Sequence, residues 1–216
     1  MMPRIVSKSE TFARLTLVSD HVYVVDDVID PAFLAEVIDL LEQDVQGRPG
    51  EFADRKVDKR IKDSTDFFPE ASSLWIAVYN RLIGSLEPHF HEFMDLNGFR
   101  ESEHLLPPVD PEAMFGADSG FHFQKTELLG KFVWHCDDTP AGERTLVVIL
   151  YLNEVIAGGE TAFLQQDLKV EPRAARLLLF PPYWTHVHCG KPVHEGVKYI
   201  LTGWLQKNTS SNGSLS

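Results

Sequence analysis

Apolar positions change their period along this 216-residue chain. From His21 to Asp27 (HVYVVDD), β-branched and aromatic residues predict a strand. Asp30-Pro31 has the form of a helix N-cap followed by proline at the first helical position. Leu34, Val37, Ile38 and Leu41 then recur at helical spacing until Gly47 and Pro49 end the pattern. Residues 48–66 are polar and mixed in charge and predict a loop with at most a short strand. Pro69 is expected to open a second helix. Its apolar stripe is Trp75, Val78, Tyr79, Leu82, Ile83, Leu86, Phe90 and Phe93, a pattern suited to packing on a sheet. His89 and His91, near its end, are expected to be exposed. From Asn97 to Gly120 prolines and glycines interrupt every period, as in a binding loop or a disordered one.

After Gly120 the texture becomes short strand-like runs separated by turns. The runs are Phe121 to Leu129, Lys131 to Trp134, Thr145 to Leu152, Thr161 to Leu164, Arg176 to Phe180 and Val197 to Trp204. This spacing predicts an antiparallel sandwich or barrel. The expected organisation is a single domain over residues 1–216. Within it, 20–96 supplies a strand and supporting helices, 121–206 the β core, and 207–216 a flexible tail.

The formal charge is −12, which argues against a nucleic-acid partner or a polybasic membrane contact. No apolar run reaches the ~18 residues of a membrane span, and Met1 to Val18 has no apolar signal core. Cys136 and Cys189 are too few for a disulfide framework and are expected as two separately buried thiols. These features predict a cytoplasmic protein. The charge is uneven: residues 20–47 hold eight acids and no Lys or Arg, whereas 121–206 hold eight bases and nine acids. The acidity thus describes a solvated N-terminal face and says nothing about a basic substrate.

The candidate chemistry starts at His135-Cys136-Asp137. On extended backbone, residues i and i+2 point the same way, so His135 and Asp137 can share one ion while Cys136 points away. A distant histidine would complete two imidazoles and one carboxylate, the facial set of non-haem Fe(II) oxygenases. His186 and His188 are both candidates, since they share strand parity. Lys198 stands in a strand-like run where its ammonium could meet a carboxylate. The other histidines (His21, His89, His91, His104, His122 and His194) have no partner at ligand spacing.

These pieces together resemble the 2-oxoglutarate- and Fe(II)-dependent dioxygenases, in particular their prolyl 4-hydroxylase-like branch. The matching segments are Phe132 to Asp137, Arg144 through Tyr151-Leu152-Asn153, and Gly158-Gly159-Glu160-Thr161-Ala162-Phe163. Leu177 to Pro181 follows, then His188-x-Gly190-x-Pro192-Val193-x-x-Gly196-x-Lys198, ending at Trp204. The order holds over residues 121–206, and the segment from His21 to about residue 44 is similar to the opening strand and helix of these enzymes. The resemblance implies an α+β, mainly β fold: a double-stranded β-helix (jelly-roll) core with N-terminal helices packed on one sheet. It implies that His135, Asp137 and His188 bind Fe(II), with His188 favoured over His186 because it lies ten residues before Lys198. Lys198 would pair with the distal carboxylate of 2-oxoglutarate, Tyr151 and Thr161 would help hold it, and Trp204 would pack beside the cosubstrate. Relatives commonly carry a tyrosine in the strand before the His-x-Asp pair. Here that stretch reads Phe123-Gln124-Lys125-Thr126, leaving Gln124 or Thr126 to contact substrate or cosubstrate.

The implied activity is hydroxylation of an unactivated C–H bond with dioxygen and 2-oxoglutarate, supported by ascorbate. Asp137 favours hydroxylation, because halogenating relatives lack that carboxylate. The expected substrate is a peptidyl proline, with a free amino acid or other small molecule as the alternative. A non-catalytic metal-binding β-barrel is the reading from another class. A cupin-type site would require a glutamate about four residues after His188, where the chain has Pro192. The oligomeric state is open at this stage.

Overall fold

The computed structural model describes residues 14–99, 117–118, 121–138 and 142–207. Most of the expected 97–120 loop and all of the tail beyond Lys207 lie outside the described residues. The chain opens with a hairpin of β1 (Thr16–Ser19) and β2 (Val22–Val25). In α1 (Pro31–Asp44) the Asp30 carboxylate accepts a hydrogen bond from the Ala32 N–H at 3.0 Å, and Pro31 occupies the first turn, as expected. The polar stretch that follows holds β3 (Arg48–Pro49), a 3-10 turn at Ala53–Arg55, and β4 (Thr65–Phe67).

The second helix, α2 (Ser73–Leu96), starts later than Pro69 suggests, because Ser72 supplies the cap: its hydroxyl accepts from the Trp75 N–H at 3.2 Å. Pro88 lies inside this helix and cannot donate to the Gly84 carbonyl. Both residues are exposed, so water can serve that carbonyl and the helix continues. His89, expected to be exposed, is buried: it lies on the inner face with Leu82, Leu86 and Phe93, 3.7 Å from Glu92. The helix turns at 100° per residue, and position 89 falls within the apolar stripe.

The remaining strands are β5 (Ala117–Asp118), β6 (His122–Thr126), β7 (Phe132–His135), β8 (Arg144–Tyr151), β9 (Ala157–Gly158), β10 (Thr161–Phe163), β11 (Leu168–Val170), β12 (Arg176–Phe180), β13 (His188–Gly190), β14 (Val193–Glu195) and β15 (Lys198–Gln206). Each strand-like run read from the sequence holds one of them. The larger sheet has the order β1-β2-β12-β8-β15-β6-β4-β3, with β5 paired to β15. The smaller sheet runs β11-β10-β13-β7, and β14 pairs with β9.

Strand alternation divides the core. Leu146, Val148 and Leu150 of β8, with Leu177 and Leu179 of β12, turn to the helices and join Leu34, Val37, Leu82 and Phe93. Val147, Ile149 and Tyr151 of β8, with Leu178 and Phe180 of β12, turn inward and meet Phe163 and Val170 of the smaller sheet. The result is two antiparallel sheets with an interior between them and helices on the outer face of the larger one. That is the double-stranded β-helix architecture expected from the sequence. Among the described residues no helix is long and apolar enough to cross a membrane.

Candidate metal centre and active-site cavity

In the smaller sheet β7 and β13 are neighbours, and His135 stands directly across from His188 in their register. Asp137 follows just past the end of β7. Its N–H and that of Asp138 both donate to the Pro182 carbonyl at 2.9 Å, which holds the turn in place. Asp137 Oδ1 lies 3.7 Å from His135 Nε2, and Oδ2 lies 3.4 Å from His188 Nε2. The ligand atoms of the three residues lie within 4.8 Å of one another.

The second nitrogen of each ring fixes its orientation. His135 Nδ1 is 2.8 Å from the Val133 carbonyl, and His188 Nδ1 is 3.0 Å from the His186 carbonyl. A carbonyl only accepts, so each Nδ1 carries a hydrogen and each Nε2 is turned toward Asp137. Burial, reinforced by the neighbouring His188, pushes His135 down to about 4, so its imidazole is neutral. Burial alone would raise the Asp137 carboxyl. The contact with His188 and the nearby His135 and Arg144 outweigh it and hold the group well below the usual carboxylate range. Two imidazole Nε2 atoms and one carboxylate thus converge on one point. A divalent cation satisfies that arrangement, and the donor set suits Fe(II) with open positions.

His186 takes no part in the cluster. It sits in a 3-10 turn, Trp184–His186, before β13, so the strand parity that made it a rival does not exist. Both of its ring nitrogens are engaged, Nε2 with the Asp20 carbonyl at 2.7 Å and Nδ1 with Thr185 Oγ1 at 2.9 Å. The two cysteines are both free, but Cys136 is exposed and only Cys189 is buried. The expected pair of buried thiols is corrected on that point: Cys136 follows the last residue of an edge strand, where no described residue covers it.

A cavity of about 930 Å³ includes the three candidate ligands in its wall. The larger sheet lines it with alternate residues of each strand: Val147 and Ile149 of β8, then Lys198, Ile200, Thr202 and Trp204 of β15, then His122, Gln124 and Thr126 of β6. Ser64, Asp66 and Phe68 continue the surface along and beside β4.

The Lys198 ammonium is buried, and among the described residues it commits one hydrogen, to the Gly159 carbonyl at 2.9 Å. Burial pushes it down to about 8. A buried ammonium with uncommitted hydrogens is a fitting seat for a carboxylate. Thr161 lines the cavity, and its hydroxyl lies 2.6 Å from that of Tyr151. Tyr151 is wholly buried, and burial raises its phenol, which stays protonated. Trp204 stands six residues along β15 from Lys198, roughly 20 Å at strand rise, and Arg144 stacks 3.5 Å over its ring.

Several cavity residues had no assigned role in the sequence reading. Arg144 donates to the Asp137 carbonyl at 2.9 Å, and its buried Nε has no hydrogen-bond partner among the described residues. Lys62 and Asp66, 6% and 4% exposed, form an ion pair at 2.8 Å. A faint signal was present in the alternation of Ser64, Asp66 and Phe68. It could not be read without knowing that β4 pairs with β6.

Residues 121–206 match the family model for the 2OG-Fe(II) oxygenase superfamily. The match covers the strand-rich part of the chain, from the start of β6 to the end of β15. A PKHD-type hydroxylase of Synechococcus sp. (strain CC9902) is 28% identical over 93 residues, covering 40% of this chain and 41% of the relative. The chain thus spans about two fifths of that curated relative's length. A prolyl hydroxylase from Trichoplax adhaerens, solved in complex with a hypoxia inducible factor oxygen degradation domain peptide fragment, superposes with a TM-score of 0.71 at 16% identity. The match covers 88% of this chain and 86% of that one. A viral collagen prolyl hydroxylase from Paramecium Bursaria Chlorella virus-1, solved as its 2OG complex, gives 0.57 at 15% identity, covering 88% and 97%. At these identities the two structures show a shared fold, the strands of both sheets together with the helices.

Proposed function

We propose that this chain is a 2-oxoglutarate- and Fe(II)-dependent dioxygenase that hydroxylates a C–H bond, with peptidyl proline as substrate. The observation that carries this reading is the convergence of His135, Asp137 and His188 at a cavity that also holds the buried Lys198 ammonium. The two nitrogens and the carboxylate would hold iron on one side and leave the opposite positions open. Lys198 would take the distal carboxylate of 2-oxoglutarate, with the Thr161 hydroxyl beside it. When bound, the iron and cosubstrate supply the oxidising chemistry: dioxygen and 2-oxoglutarate are consumed, succinate and carbon dioxide leave, and C–H becomes C–OH.

This chain's own residues do the positioning. The Val133 and His186 carbonyls aim the imidazoles, and the Pro182 carbonyl holds the Asp137 turn. Trp204, six residues from Lys198 along β15, is too distant to pack beside a cosubstrate held by Lys198; with Arg144 of β8 stacked on its ring, it is left to the substrate end. The peptide reading draws on the relatives, one of which is a prolyl hydroxylase holding a peptide fragment.

The test is succinate release from 2-oxoglutarate with Fe(II) and ascorbate, with and without a proline-containing peptide. Peptide-stimulated release and a mass gain of one oxygen support the reading. His188→Ala is expected to abolish both iron binding and turnover, and retention of both would overturn the ligand assignment.

A further inference from the structure

Gln124 lies on the cavity wall, and its orientation is settled by its neighbour. Its Nε2 donates to Asp66 Oδ1 at 2.9 Å. Asp66 Oδ1 also accepts from Ser64 Oγ at 3.0 Å, and Oδ2 accepts from Lys62 at 2.8 Å, so both of its oxygens are acceptors. A carboxylate cannot donate, so the carboxamide of Gln124 cannot turn its oxygen toward Asp66. The amide group is locked, and Oε1 carries no hydrogen-bond partner among the described residues. Gln124 itself is partly exposed and lines the cavity, so this oxygen is open to whatever the cavity holds.

Lys62 keeps the lock in place. It bonds to Asp66 and to the Glu51 carbonyl at 3.1 Å, and lies 5.5 Å from the Phe132 ring. That ring stacks on His135 at 3.7 Å, which places the whole arrangement one aromatic ring away from the metal ligands. An oxygen fixed in this way can only accept. It would repel a carboxylate of the cosubstrate and reward an N–H or O–H of the substrate.

We propose that Gln124, locked by Asp66, is a substrate-reading residue whose carboxamide oxygen accepts a hydrogen bond from an amide N–H of the bound peptide. The inference rests on the peptidyl-proline reading above. Proline has no N–H of its own when acylated, and the donor assigned is the N–H of the residue that follows it. Gln124 then serves the substrate, and the cosubstrate carboxylates are left to the metal and Lys198.

The probes are acetyl-Ala-Pro-Ala-amide and the same peptide with lactic acid in place of the second alanine, which exchanges that one N–H for an ester oxygen. Binding is measured by calorimetry on manganese-loaded protein saturated with 2-oxoglutarate. The wild type is expected to bind the amide about tenfold more tightly than the ester. In Gln124→Met the preference is expected to fall below twofold, with the Kd for 2-oxoglutarate changed by less than twofold. Equal binding of the two peptides by the wild type, or an undiminished preference in the variant, would overturn the proposal. So would a large loss of 2-oxoglutarate affinity in Gln124→Met, which would assign the residue to the cosubstrate. The oxygenase reading is tested separately by iron-dependent 2-oxoglutarate turnover. Its failure is therefore distinct from a lost preference for the amide.

Discussion

The buried Lys198 ammonium makes anion binding depend on pH in a definite direction. Burial lowers its pKa to about 8, so the charge that would hold a carboxylate is lost as pH rises through that value. Affinity for 2-oxoglutarate, followed by calorimetry, is expected to fall about tenfold per pH unit above 8. Lys198→Arg should show no such fall up to pH 10, because a guanidinium stays charged. His122 acts in the opposite pH range. Burial, with the charges of Lys62 and Arg144, pushes it down to about 4 against the opposing pull of Asp66. The unfolded chain, with an ordinary histidine, binds this proton first as pH falls. His122 therefore contributes stability that is fully present above about 6.5 and lost between there and about 4. That loss is on the order of 2–3 kcal/mol. In His122→Gln the acid-induced drop in urea midpoint between pH 7 and 4.5 should shrink by that order.

Among the elements, β8 carries the fold, since its alternate residues enter both cores. Leu150→Ala leaves a hole facing the helices and should cost about 3 kcal/mol, read as a lower denaturant midpoint. Most elements were legible in the sequence because their signals are local. The Asp30-Pro31 cap and the 3.6-residue stripe of α2 each depend on neighbours within a turn or two. The start of α2 was misplaced because Pro69 and Ser72 both resemble helix starts, and only the hydroxyl-to-Trp75 bond chooses between them. The burial of His89 was missed for a related reason: a polar residue inside an apolar stripe is read as exposed until the facing layer is known. The β3 and β4 strands are too short for any period to show and exist because β6 offers an edge.

For the whole molecule, the candidate metal site brings together parts distant in sequence. His135 on β7, the Asp137 turn held by Pro182, and His188 on β13 would be clamped by one ion. Loading with Fe(II) under anaerobic conditions, at a hundred times its Kd, is expected to stabilise the fold by about 2.7 kcal/mol. The corresponding rise in melting temperature should vanish in His188→Ala. A chain that melts identically with and without metal would not carry this centre.

By itself, the sequence determined the strands, the two helices, the His-x-Asp pair and a lysine in a strand, because each is written in residues close along the chain. It also narrowed the third ligand to two histidines of apparently equal parity. The ten-residue interval to Lys198 favoured His188, and the tertiary structure gives the physical reason by placing His186 in a turn against Asp20 and His188 opposite His135. It alone assembled Lys62, Asp66 and Gln124, which belong to segments separated by about sixty residues. Strand pairing is set by which edges meet during folding, and no local spacing records it. A buried ion pair and a locked carboxamide become visible only when the sheet that joins them is in place.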